Sequence, residues 1–291
     1  MRNQIRKQLA VECDDLEWLY VPDVVYADYG NCERHLQLIV PYRKNWDTEE
    51  CFPLILWIPG AAWYRQEMYN SLPAYAELAK RGYVVAALEI RESTIAQFPA
   101  QLWDVRRALE FLAKKAEVFH VDKSRVYLGG NSSGGHIALL TGLKAAEDRA
   151  IIDSQDVCHI RGLFAESAPT DMFICAKTAI PDFMPKDFRP VKDLLGVDNV
   201  EAHPDKARAA SCEHYIRKEI EIPPILLFHG LQDNTVSVEH SRRLFRLLKE
   251  AGKEVVYYEL VNGGHGGALY WSKEILDMID DFIQKQEEVL P

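Results

Sequence analysis

The 291-residue chain lacks several features that would direct its reading elsewhere. No stretch approaches the roughly 18 apolar residues of a membrane span. The first 15 residues mix Arg, Gln, Lys, Glu and Asp without the apolar segment of a signal peptide, so a cytoplasmic location is expected. A basic stripe is also missing. The formal net charge is −10, and pairs such as Arg242-Arg243 are interleaved with apolar residues at helical spacing. Neither a nucleic-acid partner nor an anionic membrane surface is therefore expected. Cys13, Cys32, Cys51, Cys158, Cys175 and Cys212 form no C-x-x-C pair and no zinc-knuckle spacing. They read as scattered reduced thiols, and none stands in a recognisable nucleophile context. Internal repeats and low-complexity segments are absent as well.

What is present is a 48% apolar composition, enough for a substantial core, and an alternation of β-like and helical runs. Strand patterns fall near 23–26, 35–40, 54–58, 83–88, 125–128, 161–166, 225–228 and 254–260. Helical patterns fall near 74–81, 101–119, 134–144, 238–251 and 270–285. This alternation predicts one α/β domain with a mostly parallel central sheet and helices on both faces. The stretch up to about Trp18 reads as an amphipathic helix or an irregular arm. Residues 171–216 break the rhythm, with Pro181, Pro185 and Pro190 beside Phe173, Phe183, Met184 and Phe188. They predict a small lid over a pocket, or a surface excursion packing its own aromatics.

One motif carries chemistry. Gly130-Asn131-Ser132-Ser133-Gly134 is a G-x-S-x-G match between a buried strand and a helix. Glycines two positions either side of the serine allow a sharp turn that lifts its hydroxyl to the top of the sheet. The following helix aims its N-terminus at the same place, favouring developing negative charge. Ser133 does not fit the spacing, because residue 131 is Asn.

A serine hydroxyl is a poor nucleophile without a base, and the base needs an orienting carboxylate. Asp233 follows the strand at 225–228, and His265 lies in Asn262-Gly263-Gly264-His265-Gly266-Gly267 after the strand at 254–260. Taken singly, Asp233 could cap a helix or hold an Asx turn, and His265 could be a turn residue. Together they stand in the order Ser, Asp, His, each after a strand whose carboxyl end presents a loop. His136, His229 and His240 read as structural. The oxyanion donors are expected to be the Ser133 amide and one of Ala61 or Ala62, in the loop Pro59-Gly60-Ala61-Ala62-Trp63. That loop also admits a plain Pro-Gly turn.

These segments, with Phe98-Pro99-Ala100-Gln101-Leu102-Trp103-Asp104 and Pro169-Thr170-Asp171, resemble the esterase/lipase branch of the α/β-hydrolases. The chain is most similar to the bacterial ferulic-acid-esterase-like group, neighbours of the hormone-sensitive-lipase-like carboxylesterases, from about residue 23 to 283. The resemblance implies a carboxylesterase acting on small esters, with Ser132, Asp233 and His265 as triad and without metal or organic cofactor. Trp63, Phe173, Phe183 and Met184 are the candidate substrate-binding residues. Sugar acetates, feruloyl esters and simple short-chain esters all fit the family. Two other readings stay open: a prolyl-oligopeptidase-like peptidase, and a non-catalytic ligand-binding module on the same fold. A homo-oligomer is also left open.

The chain departs from the family at the oxyanion loop, which usually reads H-G-G-G-W. Proline removes a donor there, and alanine tolerates positive φ poorly. An inward-pointing amide therefore predicts a loop that keeps negative φ. The added methyl groups predict a narrower pocket and a preference for short acyl groups such as acetyl.

Overall fold

The computed structural model describes residues 8–11, 16–30, 32–43, 50–147, 158–178 and 184–288. Its eight strands are β1 (Leu16–Asp28), β2 (Glu33–Arg43), β3 (Phe52–Ile58), β4 (Val84–Leu88), β5 (Val121–Asn131), β6 (Ile160–Glu166), β7 (Ile225–Gly230) and β8 (Val255–Leu260). They form one sheet in the order β1-β2-β4-β3-β5-β6-β7-β8. The β1–β2 and β2–β4 pairs are antiparallel, and every pair from β4 to β8 is parallel. This is the α/β-hydrolase architecture that the sequence predicts.

Parallel strands are covered on both faces, so the central ones are apolar throughout. Every residue of β3 and β4 is buried. Alternation then divides the core into two layers. Leu54, Leu56 and Ile58 pack with α2 (Ala100–Lys114) and α3 (Ser132–Glu147). Ile55 and Trp57 pack on the other face with α1 (Leu72–Ala79) and α8 (Lys273–Glu287). α7 (Glu239–Glu250) returns to the first layer through Leu244 and Leu248. Burying one such Leu or Ile side chain contributes about 1.5–3 kcal/mol. Among the described residues no helix is long and apolar enough to cross a membrane.

One expectation is corrected here. Trp18 lies inside β1, an edge strand paired with β2. A register shift between Val21 and Val24, with Asp23 at φ 50°, breaks the two-residue alternation that would have marked the strand. Three short helices, α4 (Met172–Lys177), α5 (Pro190–Leu195) and α6 (Pro204–Ala209), lead to a 3-10 turn at Cys212–Tyr215. Met172, Leu194, Ala207 and Cys212 join the main core. Asp171 starts α4 by accepting from the amides of Phe173 and Ile174, a cap that contributes about 1 kcal/mol.

Candidate active site

The carboxyl edge of the parallel strands collects every group that the motifs single out. β5 runs into α3 through Ser132, whose φ is 52°. A non-glycine residue there is strained by about 1–2 kcal/mol. The flanking glycines explain how the turn is held. A Cβ on Gly134 would lie 1.9 Å from Ile58 O, and one on Gly130 would lie 2.5 Å from the same atom. Both positions admit only glycine while β3 keeps its place. The turn lifts Ser132 out of the sheet and leaves it partly accessible, while Ser133 is buried behind it.

His265 Nε2 lies 3.0 Å from Ser132 Oγ, and His265 Nδ1 lies 2.8 Å from Asp233 Oδ2. A carboxylate only accepts, so Nδ1 carries the proton and Nε2 presents its lone pair to the hydroxyl. Asp233 Oδ1 accepts the amides of Thr235 and Val236, both at 2.9 Å. His229 Nε2 stands 3.3 Å from Asp233 Oδ2 and 3.0 Å from Val236 O. Burial alone would raise the Asp233 carboxyl. Hydrogen bonds from His229 and His265, the electrostatic influence of the His265 ring and the Val236 amide overcome it and hold the group well below the usual carboxylate range.

The two loops that carry Asp233 and His265 touch directly. A Cβ on Gly230 would lie 2.2 Å from Gly263 O, and Gln232 N donates to that carbonyl at 2.8 Å. Tyr270 Oη donates to Gly264 O at 3.1 Å and meets Ser167 Oγ at 2.8 Å, which steadies the backbone just before His265. Burial pushes both Cys158 and Cys175 up to about 12.

The oxyanion loop differs from expectation. Ala62 and Trp63 adopt φ of 51° and 61°, so the loop does not keep negative φ. Its anchors explain how two strained residues persist. Gly60 N donates to Asn131 Oδ1 at 3.1 Å, and Ala61 N donates to Ser133 Oγ at 2.9 Å. Trp63 Nε1 donates to His136 Nδ1 at 3.1 Å, and His136 Nε2 donates to Ala210 O at 2.7 Å. Burial lowers His136 to about 4, so it stays neutral and can keep both roles. Among the described residues no acceptor takes the Ala62 N–H.

The expected substrate-binding residues fall in different surroundings. Trp63 is 3% exposed and packs edge-on against the His136 ring, because its indole N–H finds a buried acceptor. Phe173 lines a cavity of about 320 Å³ with Lys177 and Lys192 on the excursion. Met184 is half-buried in the turn before α5, and Phe183 lies outside the described residues.

The family model of BD-FAE matches residues 41–248. The chain belongs to the BD-FAE family. The match is narrower than the span of resemblance in the sequence and stops before His265. Among relatives, the chain is 25% identical over 245 residues to Esterase LipC of Mycobacterium tuberculosis, covering 82% of this chain and 58% of that protein. It is 25% identical over 244 residues to the isoprenylcysteine alpha-carbonyl methylesterase ICME of Arabidopsis thaliana, covering 81% and 54%. The chain thus spans little more than half the length of these relatives. A truncated carbohydrate esterase from gut microbiota superposes with a TM-score of 0.75 at 23% identity, covering 92% of this chain and 96% of that one. An acetyl ester-xyloside bifunctional hydrolase from Caldicellulosiruptor lactoaceticus gives 0.70 at 22% identity, covering 88% and 89%.

Within this BD-FAE chain, the Phe98–Asp104 segment has a scaffolding task. Asp104 is fully buried and accepts from Arg91 Nε at 2.8 Å and from Tyr29. Gln101 Nε2 donates to Ala96 O at 2.7 Å and Arg91 O at 3.0 Å, which fixes the loop leaving β4. Two side chains that support the site's geometry had no role there in the sequence reading. His229, which read as structural, stands 3.3 Å from Asp233 Oδ2. Gln66 belongs to no motif, yet it is 6% exposed and tied to three backbone groups around the oxyanion loop.

Proposed function

We propose that this BD-FAE family protein is a serine carboxylesterase that cleaves short-chain esters, acetyl esters of sugars among them. The observation that carries the reading is the hydrogen-bonded line from Asp233 through His265 to a strained Ser132, at 2.8 and 3.0 Å. The names of the relatives and of the superposing structures, all esterases or ester hydrolases, agree with it.

In this reading His265 Nε2 takes the Ser132 proton as Oγ bonds to the ester carbonyl carbon. The carbonyl oxygen becomes an oxyanion. One donor is the Ser133 amide, in the first turn of α3, where helical N–H groups lack an intrahelical acceptor. The other is the Ala62 amide, because Gly60 and Ala61 spend theirs on Asn131 and Ser133. The bond to the leaving alkoxide breaks, and His265 returns the proton to it. Water then repeats the cycle on the acyl-Ser132. Asp233 stays ionised throughout, stabilising the imidazolium and fixing its tautomer.

The methyl groups of Ala61 and Ala62 stand where the family has glycines, and they narrow the acyl side. A 4-nitrophenyl ester series tests this. The expected kcat/KM falls from acetate to octanoate, and a higher value for octanoate contradicts the narrow acyl side.

A further inference from the structure

The carboxyl edge of the sheet holds a second opening beside the oxyanion loop. It is a cavity of about 710 Å³ bounded by the β1–β2 turn, the segment leaving β4 and the far end of the oxyanion loop. Its size falls within the roughly 300–1,000 Å³ of small-molecule sites.

Its position relative to Ser132 follows from the sheet. Trp57 of β3 pairs with Ala87 of β4 on one side and with Gly129 of β5 on the other. The ends of β4 and β5 are therefore two strand spacings apart, about 10 Å. Gln66, one wall of the cavity, ties the two together. Its Nε2 donates to Pro59 O at 2.8 Å and Leu88 O at 3.2 Å, and its Oε1 accepts from Ile90 N at 2.7 Å. The cavity and the oxyanion loop thus share a wall.

The lining is of mixed charge. Glu89 is fixed by Arg34 Nη1 at 3.4 Å, His35 Nδ1 at 3.0 Å and the His35 amide at 3.1 Å. Arg65 and Glu92 also line the cavity, and among the described residues neither has an ion-pair partner. The Arg34 Nε is a buried donor without an acceptor. Such a wall is too polar for an acyl chain and too acidic for a phosphorylated ligand. Planar donors and acceptors side by side match hydroxyl groups, each of which both donates and accepts.

We propose that this cavity is an alcohol-side subsite that takes sugar rings of an acylated oligosaccharide, at least one ring away from the ring whose ester meets Ser132. The inference rests on the esterase reading above. The ester carbonyl lies at the triad, the leaving sugar runs over the oxyanion loop, and Arg65 and Glu92 hydrogen-bond its distal hydroxyls.

The test compares Arg65→Ala and Glu92→Gln with the parent enzyme on acetylated xylotriose, acetylated cellotriose and 4-nitrophenyl acetate. Each variant is expected to lose about tenfold in kcat/KM on at least one sugar ester, mostly through KM, as one charge-assisted hydrogen bond is removed. Each is expected to stay within about twofold on 4-nitrophenyl acetate, which also shows that the variants fold. Deacetylated xylotriose and cellotriose, titrated into Ser132→Ala and followed by NMR, are expected to shift the Arg65 or Glu92 amide signals. Parent activity on 4-nitrophenyl acetate with no sugar ester cleaved, equal losses on all substrates, or no loss on sugar esters overturns the subsite while the esterase reading stands. No turnover of any ester by the parent overturns both.

Discussion

Gln66→Leu is a demanding perturbation because it keeps the volume of a buried side chain and removes only its polar atoms. The change leaves Ile90 N without an acceptor and Pro59 O and Leu88 O without a donor. Each bond has a net value of about 1 kcal/mol, and an orphaned buried amide costs about 1–3 kcal/mol. The expected loss is about 3 kcal/mol of unfolding free energy, a large share of the 5–15 kcal/mol typical of a domain. Urea denaturation measures it. The kinetic consequence is separate. Pro59 begins the loop that carries Ala62 in a left-handed conformation, and loosening it displaces the proposed oxyanion donor. Outright removal of such a donor costs about 10²–10³ in kcat. Displacement is expected to cost at least about tenfold in kcat on 4-nitrophenyl acetate, with KM within about threefold, because the donor acts on the developing oxyanion. Unchanged stability refutes the hydrogen-bond accounting. Lost stability with unchanged kcat shows that the Trp63–His136 and Ala61–Ser133 anchors hold the loop by themselves.

Other outcomes follow from the same geometry. Burial raises Glu213 from its ordinary 4.5 to about 7, against the Thr170 hydrogen bond and the nearby Arg243, with Asp171 adding to the rise. Among the described residues its Oε2 has no hydrogen-bond partner. A folded-state pKa above the unfolded one means that stability is fully present below about pH 4.5 and is lost as pH rises towards 7, about 3 kcal/mol in all. Glu213→Gln is expected to flatten the stability profile over that window in chemical denaturation, and an unchanged slope contradicts it. Asp104→Ala leaves Arg91, itself mostly buried, without its carboxylate. The expected destabilisation is about 3–5 kcal/mol by calorimetry or denaturant titration, and a loss under 1 kcal/mol would rule out a structural role for the pair.

The legible and illegible parts of this chain divide along physical lines. Ser132, Asp233 and His265 were readable because strand-end loops carry chemistry in a fixed chain order, and each loop has its own glycine punctuation. The inner strands were readable because burial on both faces leaves continuous apolar runs. The edge strand β1 was not, since the shift at Val21–Val24 destroys its alternation. The conformation of Ala62 and Trp63 was not either. Intrinsic preference opposes positive φ there, and the anchors that impose it come from Asn131, Ser133 and His136, some 70 residues away. Trp63 is the last residue of that loop. Its indole N–H meets a buried imidazole nitrogen, a pairing that no local pattern announces.

The central claim is that Ser132 forms the acyl-enzyme, and its most direct test is active-site labelling joined to one substitution. A fluorophosphonate probe is expected to add covalently to the parent protein at Ser132, located by peptide mass spectrometry, and not to Ser132→Ala. The same variant is expected to lose at least about a thousandfold in turnover of 4-nitrophenyl acetate. Labelling at another residue, or near-parent turnover by Ser132→Ala, contradicts the account.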